Sequence, residues 1–307
     1  MTQFTEIASG LAFPEGPIAM PDGTVVLVEL KAERLTRVHP NGRTTTLAEI
    51  AGGPNGAAVG PDGAIYVCNN GGAANWVEFD GKVLPGRFDP ARYIGGRIQR
   101  VDYKTGLVAD LYTACDGRPL RAPNDLVMDG HGGFWFSDHG IRDHTARTSD
   151  LTAIYYAKVD GSAIREVVFP VESANGIGLS PDGDVLYYAE TYTGRVFRRA
   201  IEHAGVLTRL VPLEQDHVLC GLPGMQLLDS LAVDSDGNVC VATVFNGGIT
   251  VISPDGSLVE HVPTDDIITT NICFGGDDMR TAYITLASSG RLVSMRWPRE
   301  GLRLAHQ

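Results

Sequence analysis

Residues 174–190 read ANGIGLSPDGDVLYYAE, and the pattern in this stretch recurs along the chain. Asn175, whose side chain offers an oxygen ligand, stands six positions before a turn, and an apolar run follows the turn. Two apolar segments joined by Asp-Gly predict a β-hairpin. The pattern begins at five further positions, at intervals of roughly 40 to 70 residues, which is typical of propeller blades. These positions are Glu15, Asn55, Asn124, Asp229 and Asn271.

A third and usually a fourth strand pattern follows each hairpin, as in AIYYAKVDG and AIREVVFP after the hairpin at Asn124. Six units of four antiparallel strands predict an all-β fold, a six-bladed β-propeller, in one domain over residues 1–307. The last unit is one strand short, and a propeller has to close because a free sheet edge is a liability. We therefore expect the N-terminal segment TQFTEIA (2–8) to supply the outer strand of the last blade.

Two further features bear on the centre of such a propeller. The segments 71–96 and 139–150 lengthen the second and third units, and insertions of this size in a compact repeat are typical of binding loops or lids. Glycine follows the oxygen-bearing residue in several units, which is expected where inner strands crowd near the axis. The alternation of a strand places Asp125 on the opposite side of the pleat from Asn124, as a structural residue.

The composition excludes several classes of function. A net charge of −12 argues against partners with phosphate backbones and against anionic lipid, so we expect neither a nucleic-acid nor a membrane protein. The chain has no signal-peptide pattern and no apolar run that could span a bilayer, which favours a cytoplasmic protein. We expect a monomer or a small homo-oligomer. Its five cysteines form no CxxC pair and are expected to be small buried side chains.

The six repeated residues offer carboxylate and amide oxygens. If every inner strand starts at the same end of one channel, these oxygens converge, and hard donors of this kind suit Ca²⁺, Mg²⁺ or Mn²⁺. Any single Asn or Asp at a strand start is more often a turn former or a cap. The shared six-residue offset in all units favours the ligand interpretation.

The end of the second strand in each unit returns to the same end of the channel, so polar side chains there are expected to ring its mouth. His139 and His144 lie in a polar loop, where a histidine is more often a solvated or rim residue than a base, and Asp138 could equally cap a strand end. We predict substrate contacts from Asn69, Asn70, Asp138, His139, Glu190, Tyr192 and Asn246.

Five segments together resemble the gluconolactonase family, the group that includes regucalcin (senescence marker protein 30). They are FPEGP (13–17), APND (122–125), ANGIGLSPDG (174–183), LDSLAVDSDGNVCVATVFNGG (228–248) and NICFGG (271–276). The resemblance implies that Glu15, Asn175 and Asp229 bind a divalent metal ion, with Asn124 as the fourth residue facing it. It also implies that the protein hydrolyses sugar lactones with the help of this metal ion. Calcium is the expected ion, and zinc, manganese, magnesium and iron are the alternatives.

The sequence therefore predicts a metal-dependent hydrolase that opens a sugar lactone or a similar small cyclic ester, with Asp229 as the general base. A phosphotriesterase-like hydrolase on the same metal site is one alternative. A non-catalytic propeller that binds calcium or another ligand is a second. No serine lies in a GxSxG context, so a Ser-His-Asp hydrolase is not supported.

Overall fold

The computed structural model describes residues 4–210 and 217–307, and the regular elements in these residues are β-strands. Six antiparallel sheets follow one another along the chain, and each has at least four strands. They form the six blades of a β-propeller, which confirms the predicted fold class. None of the described residues belongs to an apolar helix of membrane-spanning length.

The blades are numbered from the N-terminus, and their strands are given from the inner strand outward. Blade 1 contains Pro14–Ala19, Val25–Glu29, Arg34–Val38 and Thr44–Glu49. Blade 2 contains Pro54–Val59, Ile65–Asn69, Arg97–Val101 and Val108–Tyr112. Blade 3 contains Pro123–Met128, Gly133–Asp138, Thr152–Lys158 and Ile164–Val171. Blade 4 contains Ala174–Leu179, Val185–Glu190 and Arg195–His203, and the last of these pairs with both Val206–Leu207 and Val218–Gly221.

Blade 5 contains Leu227–Val233, Val239–Val244, Gly248–Ile252 and Leu258–Pro263. Blade 6 contains Thr269–Gly275, Thr281–Leu286, Arg291–Arg296 and Thr5–Ala8. Three short hairpins lie outside the blades: Trp76–Phe79 with Lys82–Pro85, Ala114–Cys115 with Arg118–Pro119, and Arg142–Asp143 with Thr148–Ser149. The first and third of these hairpins occupy the insertions 71–96 and 139–150.

The inner strands of consecutive blades lie against one another around the ring, and blade 6 meets blade 1. Their approach is so close that a Cβ added at Gly56 would lie 2.4 Å from Asp125 Oδ1. A Cβ added at Gly176 would lie 2.5 Å from the backbone nitrogen of Leu231. Glycine is therefore required at these positions by packing, as the sequence predicts.

Apolar side chains fill the spaces between the blades. Tyr66 of blade 2 packs against Phe134 of blade 3, with ring centroids 5.9 Å apart. Such aromatic pairs bury large apolar areas, and this burial is a main source of stability. The cysteines are free, and four of them are buried: Cys68, Cys115, Cys240 and Cys273.

The N-terminal strand closes the ring, as predicted from the missing strand of the last unit. Thr5–Ala8 pairs antiparallel with Arg291–Arg296, and Thr5 lies opposite Ser294. This pairing removes the free edge of blade 6 and joins the two ends of the chain in one sheet.

Deletion of residues 1–8 should lower the melting temperature by about 10 °C, because it removes one strand of blade 6 and exposes its neighbour. Thermal unfolding followed by circular dichroism measures this effect. Glu6→Gln is the matched control, since it keeps the strand and changes one half-exposed side chain. An unchanged melting temperature in the deletion variant would show that the closing strand contributes nothing to stability.

The chain closes the opposite end of the central channel with its C-terminal residues. Gln307 Nε2 donates to the carbonyl oxygen of Phe274 at 2.7 Å, and Leu302 N donates to the carbonyl oxygen of Val233 at 3.1 Å. Leu302, Leu304 and Gln307 line a small cavity of about 80 Å3 at that end.

Candidate functional site

The four predicted metal ligands come together in one pocket at the other end of the channel. Glu15, Asn124, Asn175 and Asp229 all line this pocket, which has a volume of about 270 Å3. They belong to the inner strands of blades 1, 3, 4 and 5. Asn55 also lines the pocket, so residues from at least five blades converge there.

A β-bulge lies at the start of each inner strand and orients these side chains. The pairing with the second strand shifts register between Glu15 and Ile18 and between Ala174 and Ile177. The other four inner strands show the same shift near their first residues. Bulges re-aim side chains by adding a residue to one strand, so the oxygen-bearing residue can turn from the sheet towards the axis.

Asp125 does not line this pocket, in keeping with its prediction as a structural residue on the other side of the strand from Asn124. It lies against Gly56 of the neighbouring inner strand, and it lines the small cavity at the far end of the channel. Its carboxylate is fully enclosed, and burial raises its pKa to about 8, with a further contribution from the Glu15 charge.

Three of the predicted ligands present a buried oxygen that accepts no hydrogen bond: Glu15 Oε1, Asn124 Oδ1 and Asn175 Oδ1. The second polar atoms of Glu15 and Asn175 form hydrogen bonds. Glu15 Oε2 accepts from Gly16 N and, at 2.8 Å, from Asn271 Nδ2, while Asn175 Nδ2 donates to Thr191 Oγ1 at 3.1 Å. These contacts orient the free acceptor atoms, and a buried acceptor without a donor is costly.

The electrostatics of the site favour a cation. Burial raises the pKa of Glu15 to about 7, against the opposing effect of its hydrogen bonds with Asn271 and Gly16. Burial also raises the pKa of Asp229 well above its usual range, and the nearby Glu15 charge raises it further. Two carboxylates in one enclosed site repel each other, so a positive ion there would stabilise both in their charged forms.

The residues present therefore fit a hard divalent cation. Two carboxylates and two amide oxygens match the ligand preference of Ca²⁺, and the three unpaired acceptors have no donor that they would lose. Within residues 4–210 and 217–307, no three His, Cys, Asp or Glu side chains cluster as a metal site. The candidate set depends on asparagine, which disfavours a softer ion held by histidine or cysteine.

Three of the predicted substrate contacts, Asn69, Asp138 and Glu190, end second strands, and so does Glu29 of blade 1. In each case a side-chain oxygen accepts from a backbone N–H just before an inner strand, and none of the four lines the pocket. The pairs are Glu29 with Ala12 at 2.7 Å, Asn69 with Gly53 at 2.9 Å, Asp138 with Ala122 at 2.7 Å, and Glu190 with Glu172 at 3.1 Å. These residues hold the start of the ligand-bearing strand.

The buried members of this group have little bonding capacity left. Asn69 Nδ2 donates to Ala51 O and to Gln99 Oε1, and Asp138 Oδ2 accepts from Arg121 N. Both side chains are fully buried. The structure thus places Asn69, Asp138 and Glu190 in the blades rather than on the pocket wall.

The remaining predicted substrate contacts divide into two groups. Asn70, His139 and Tyr192 line the pocket, and the rings of His139 and Tyr192 lie 5.7 Å apart. Burial lowers the pKa of His139 to about 4, and the charge of Arg142 adds to the lowering. Asn246 is exposed outside the pocket, where its amide contacts Gln226 at 3.3 Å.

Several pocket residues carried no signal in the repeat pattern. They come from the two insertions, which supply Pro85, Gly86, Arg87 and Phe88 on one side and Gly140, Ile141, Arg142 and His144 on the other. The length of both insertions predicted binding loops, but no position in them follows the repeat. Thr191 and Thr270, next to predicted residues, also line the pocket.

Comparison with known protein families identifies the family of this chain. The sequence profile of the SMP-30/Gluconolactonase/LRE-like region matches residues 13–288, which include all six inner strands. The chain belongs to the SMP-30/gluconolactonase/LRE-like family. Glu15, Asn124, Asn175 and Asp229 lie within the matched region of this family.

Two curated relatives in this comparison are named as lactonases. The chain is 28% identical over 237 residues to the lactonase Drp35 of Staphylococcus epidermidis and 28% identical over 236 residues to that of Staphylococcus aureus. Each match includes 76% of this chain but spans 64% of the relative's length.

Solved structures of the family share the fold over nearly the whole chain. A gluconolactonase of Xanthomonas campestris superposes with a TM-score of 0.75 at 21% identity, over 97% of this chain and 90% of that chain. Regucalcin of Agrobacterium tumefaciens, a calcium-binding protein, superposes with a TM-score of 0.74 at 18% identity, over 99% and 98%. At these identities the likeness concerns the fold.

Proposed function

We propose that this protein is a lactonase that holds a divalent cation, Ca²⁺ in the first instance, between Glu15, Asn124, Asn175 and Asp229. The observation that carries the proposal is the set of three buried acceptor oxygens without donors in the same pocket as Asp229. The names of the lactonase and gluconolactonase relatives support lactone hydrolysis, and the calcium-binding neighbour supports the ion.

The reaction adds water to a cyclic ester and yields a hydroxy acid. A bound cation would supply positive charge against the ester carbonyl as negative charge develops on its oxygen. Asp229 accepts a proton from the attacking water, the C–O bond of the ring breaks, and the proton passes to the leaving alkoxide. Asn70, His139 and Tyr192 lie where they can contact ring substituents of the substrate.

The pocket wall also has an apolar part. Phe13, Leu30 and Ile268 line it together with Phe88 from the insertion of blade 2. A low local dielectric strengthens the interaction of fixed charges with the developing oxyanion, so these apolar residues contribute to rate without touching the reacting bond.

Chelation should abolish turnover and lower the melting temperature together. A cation that binds only the folded state at a hundred times its Kd stabilises by about 2.7 kcal/mol. Lactone hydrolysis, followed with a pH indicator, and the melting temperature are measured after EDTA treatment and after each of Ca²⁺, Mn²⁺, Mg²⁺ and Zn²⁺ is returned. Full activity of the chelated protein would refute the proposed dependence on a cation.

The same assay separates the alternatives. A panel of aldonolactones and alkyl lactones is compared with paraoxon and an organophosphorus fluoridate at equal cation concentration. Preference for the phosphorus compounds would identify an organophosphorus hydrolase. A protein that binds Ca²⁺ by calorimetry yet turns over none of these compounds would be a binding propeller.

A further inference from the structure

The charged residues of the pocket wall are two acidic and two basic groups: Glu15, Asp229, Arg87 and Arg142. The carboxylates lie at the start of inner strands, whereas the arginines come from the two insertions. A divalent cation on Glu15 and Asp229 balances their charge. The charge left for a substrate then comes from the arginines, in a protein whose net charge is −12.

Arg142 is held in a fixed orientation. Its guanidinium carbon lies 3.4 Å from the centroid of the Tyr192 ring, and Nη2 donates to Glu172 Oε1 at 2.5 Å. Its Nε is buried and has no acceptor. A buried guanidinium N–H without an acceptor is costly, and an oxygen of a bound molecule would satisfy it.

The positive charge of Arg87 is less offset by nearby carboxylates than that of Arg142. It is exposed on the wall contributed by the blade 2 insertion, and no carboxylate in the described part of the chain forms an ion pair with it. Glu172 offsets part of the Arg142 charge, since the two form an ion pair. His139, which also lines the pocket, adds no charge because burial keeps it neutral.

We propose that the substrate of this pocket is a lactone that carries a negatively charged group, a carboxylate or a phosphate, and that Arg87 and Arg142 bind this group. The inference rests on the proposed lactonase function and adds a substrate class to it. Guanidinium groups form charge-assisted hydrogen bonds with both kinds of oxyanion, so the two arginines alone do not separate carboxylate from phosphate.

Three lactones that share one ring test the proposal. D-Gluconolactone is neutral, the monolactone of D-glucaric acid carries a carboxylate at the end of the chain, and gluconolactone phosphorylated on its primary hydroxyl carries a phosphate there. We expect kcat/KM for at least one charged lactone to exceed that for D-gluconolactone by about tenfold or more. The preferred member of the charged pair identifies the group.

Arg87→Gln and Arg142→Gln remove the charges separately. Each should lower kcat/KM for the charged lactone by about tenfold, mostly through KM, and should lower kcat/KM for D-gluconolactone by a smaller factor. Arg147→Gln is the matched control, because Arg147 lies on the same hairpin as Arg142 but outside the pocket wall. Arg87→Gln keeps the test valid if loss of Arg142 disturbs its hairpin.

A binding experiment separates this inference from the proposed function. The hydrolysis products D-glucarate and D-gluconate are titrated calorimetrically into the cation-loaded protein and into Arg87→Gln. Tighter binding of glucarate that is lost in the variant supports the anion site even if no lactone is turned over. The inference would be overturned if charged and neutral lactones had equal kcat/KM in the wild type and in both arginine variants, and if glucarate, with its second carboxylate, bound no more tightly than gluconate. Lactonase activity could stand in that case.

Discussion

Asp229→Asn should lower kcat for lactone hydrolysis by roughly a thousandfold, because the amide has no basic oxygen that can take a proton from water. The side chain keeps its shape, so the blade 5 inner strand that carries it should remain folded. Steady-state kinetics at saturating cation and lactone measure the effect. Asp229→Ala should in addition weaken cation binding, measured by calorimetry, since a ligand oxygen is lost.

Asn246→Ala is the control for both Asp229 variants. Asn246 lies at the same end of blade 5 but outside the pocket, and its amide is exposed, so its loss should change kcat less than twofold. A cation-independent Asp229→Ala enzyme with wild-type turnover would remove both the base and the metal from the mechanism.

Asp138→Ala should destabilise the fold by roughly 3 kcal/mol or more, since its carboxylate is the acceptor for three backbone N–H groups that would remain buried without partners. Oδ1 accepts from Ala122 at 2.7 Å and from Gly140 at 3.0 Å, and Oδ2 accepts from Arg121 at 2.7 Å. Urea unfolding measures the loss of free energy. Since Ala122 lies two residues before Asn124, cation affinity should fall as well.

Asp143→Ala is the matched control for this prediction. Asp143 also accepts two backbone N–H groups, from Thr145 and Ala146, but in an exposed turn of the neighbouring hairpin. Water can replace its carboxylate there, so we expect a loss below about 1 kcal/mol. If instead Asp138→Ala unfolded at the same urea concentration as the wild type, Asp138 would not stabilise the start of the blade 3 inner strand.

The repeat pattern was sufficient to predict the blades and the convergence of Glu15, Asn124, Asn175 and Asp229 on one end of the channel. A constant offset between an oxygen-bearing residue and a turn sets both the strand register and the end of the channel at which the residue lies. The same count of strands revealed that the last blade needed Thr5–Ala8, and the pairing with Arg291–Arg296 confirms it. The spacing within each repeat and the number of strand patterns can both be read directly from the sequence.

The sequence was less informative where a side chain could turn in two directions. Asn69 and Asp138 lie at the ends of their strands, as the spacing predicts. Their side chains, however, accept hydrogen bonds from backbone N–H groups just before the inner strands of their own blades. Which way they turn depends on the path of a loop that has no periodic signal.

The insertions posed a different difficulty. Arg87 and Arg142 belong to segments that occur once, so no other unit provides a template for their position. Their place in the pocket follows from how two hairpins fold over the mouth, which requires tertiary contacts such as that of Arg142 with Tyr192. Insertion length pointed to the right segments but not to the residues.

The pairing of Thr5 with Ser294 joins residues at opposite ends of the chain. During synthesis, the first strand therefore waits without its partner until the last blade has left the ribosome. A contact of such high sequence separation forms slowly, because the entropy of closing the loop is lost before the contact is gained. Interrupted translation would leave a propeller with an open side and unpaired strand edges, a species prone to aggregation.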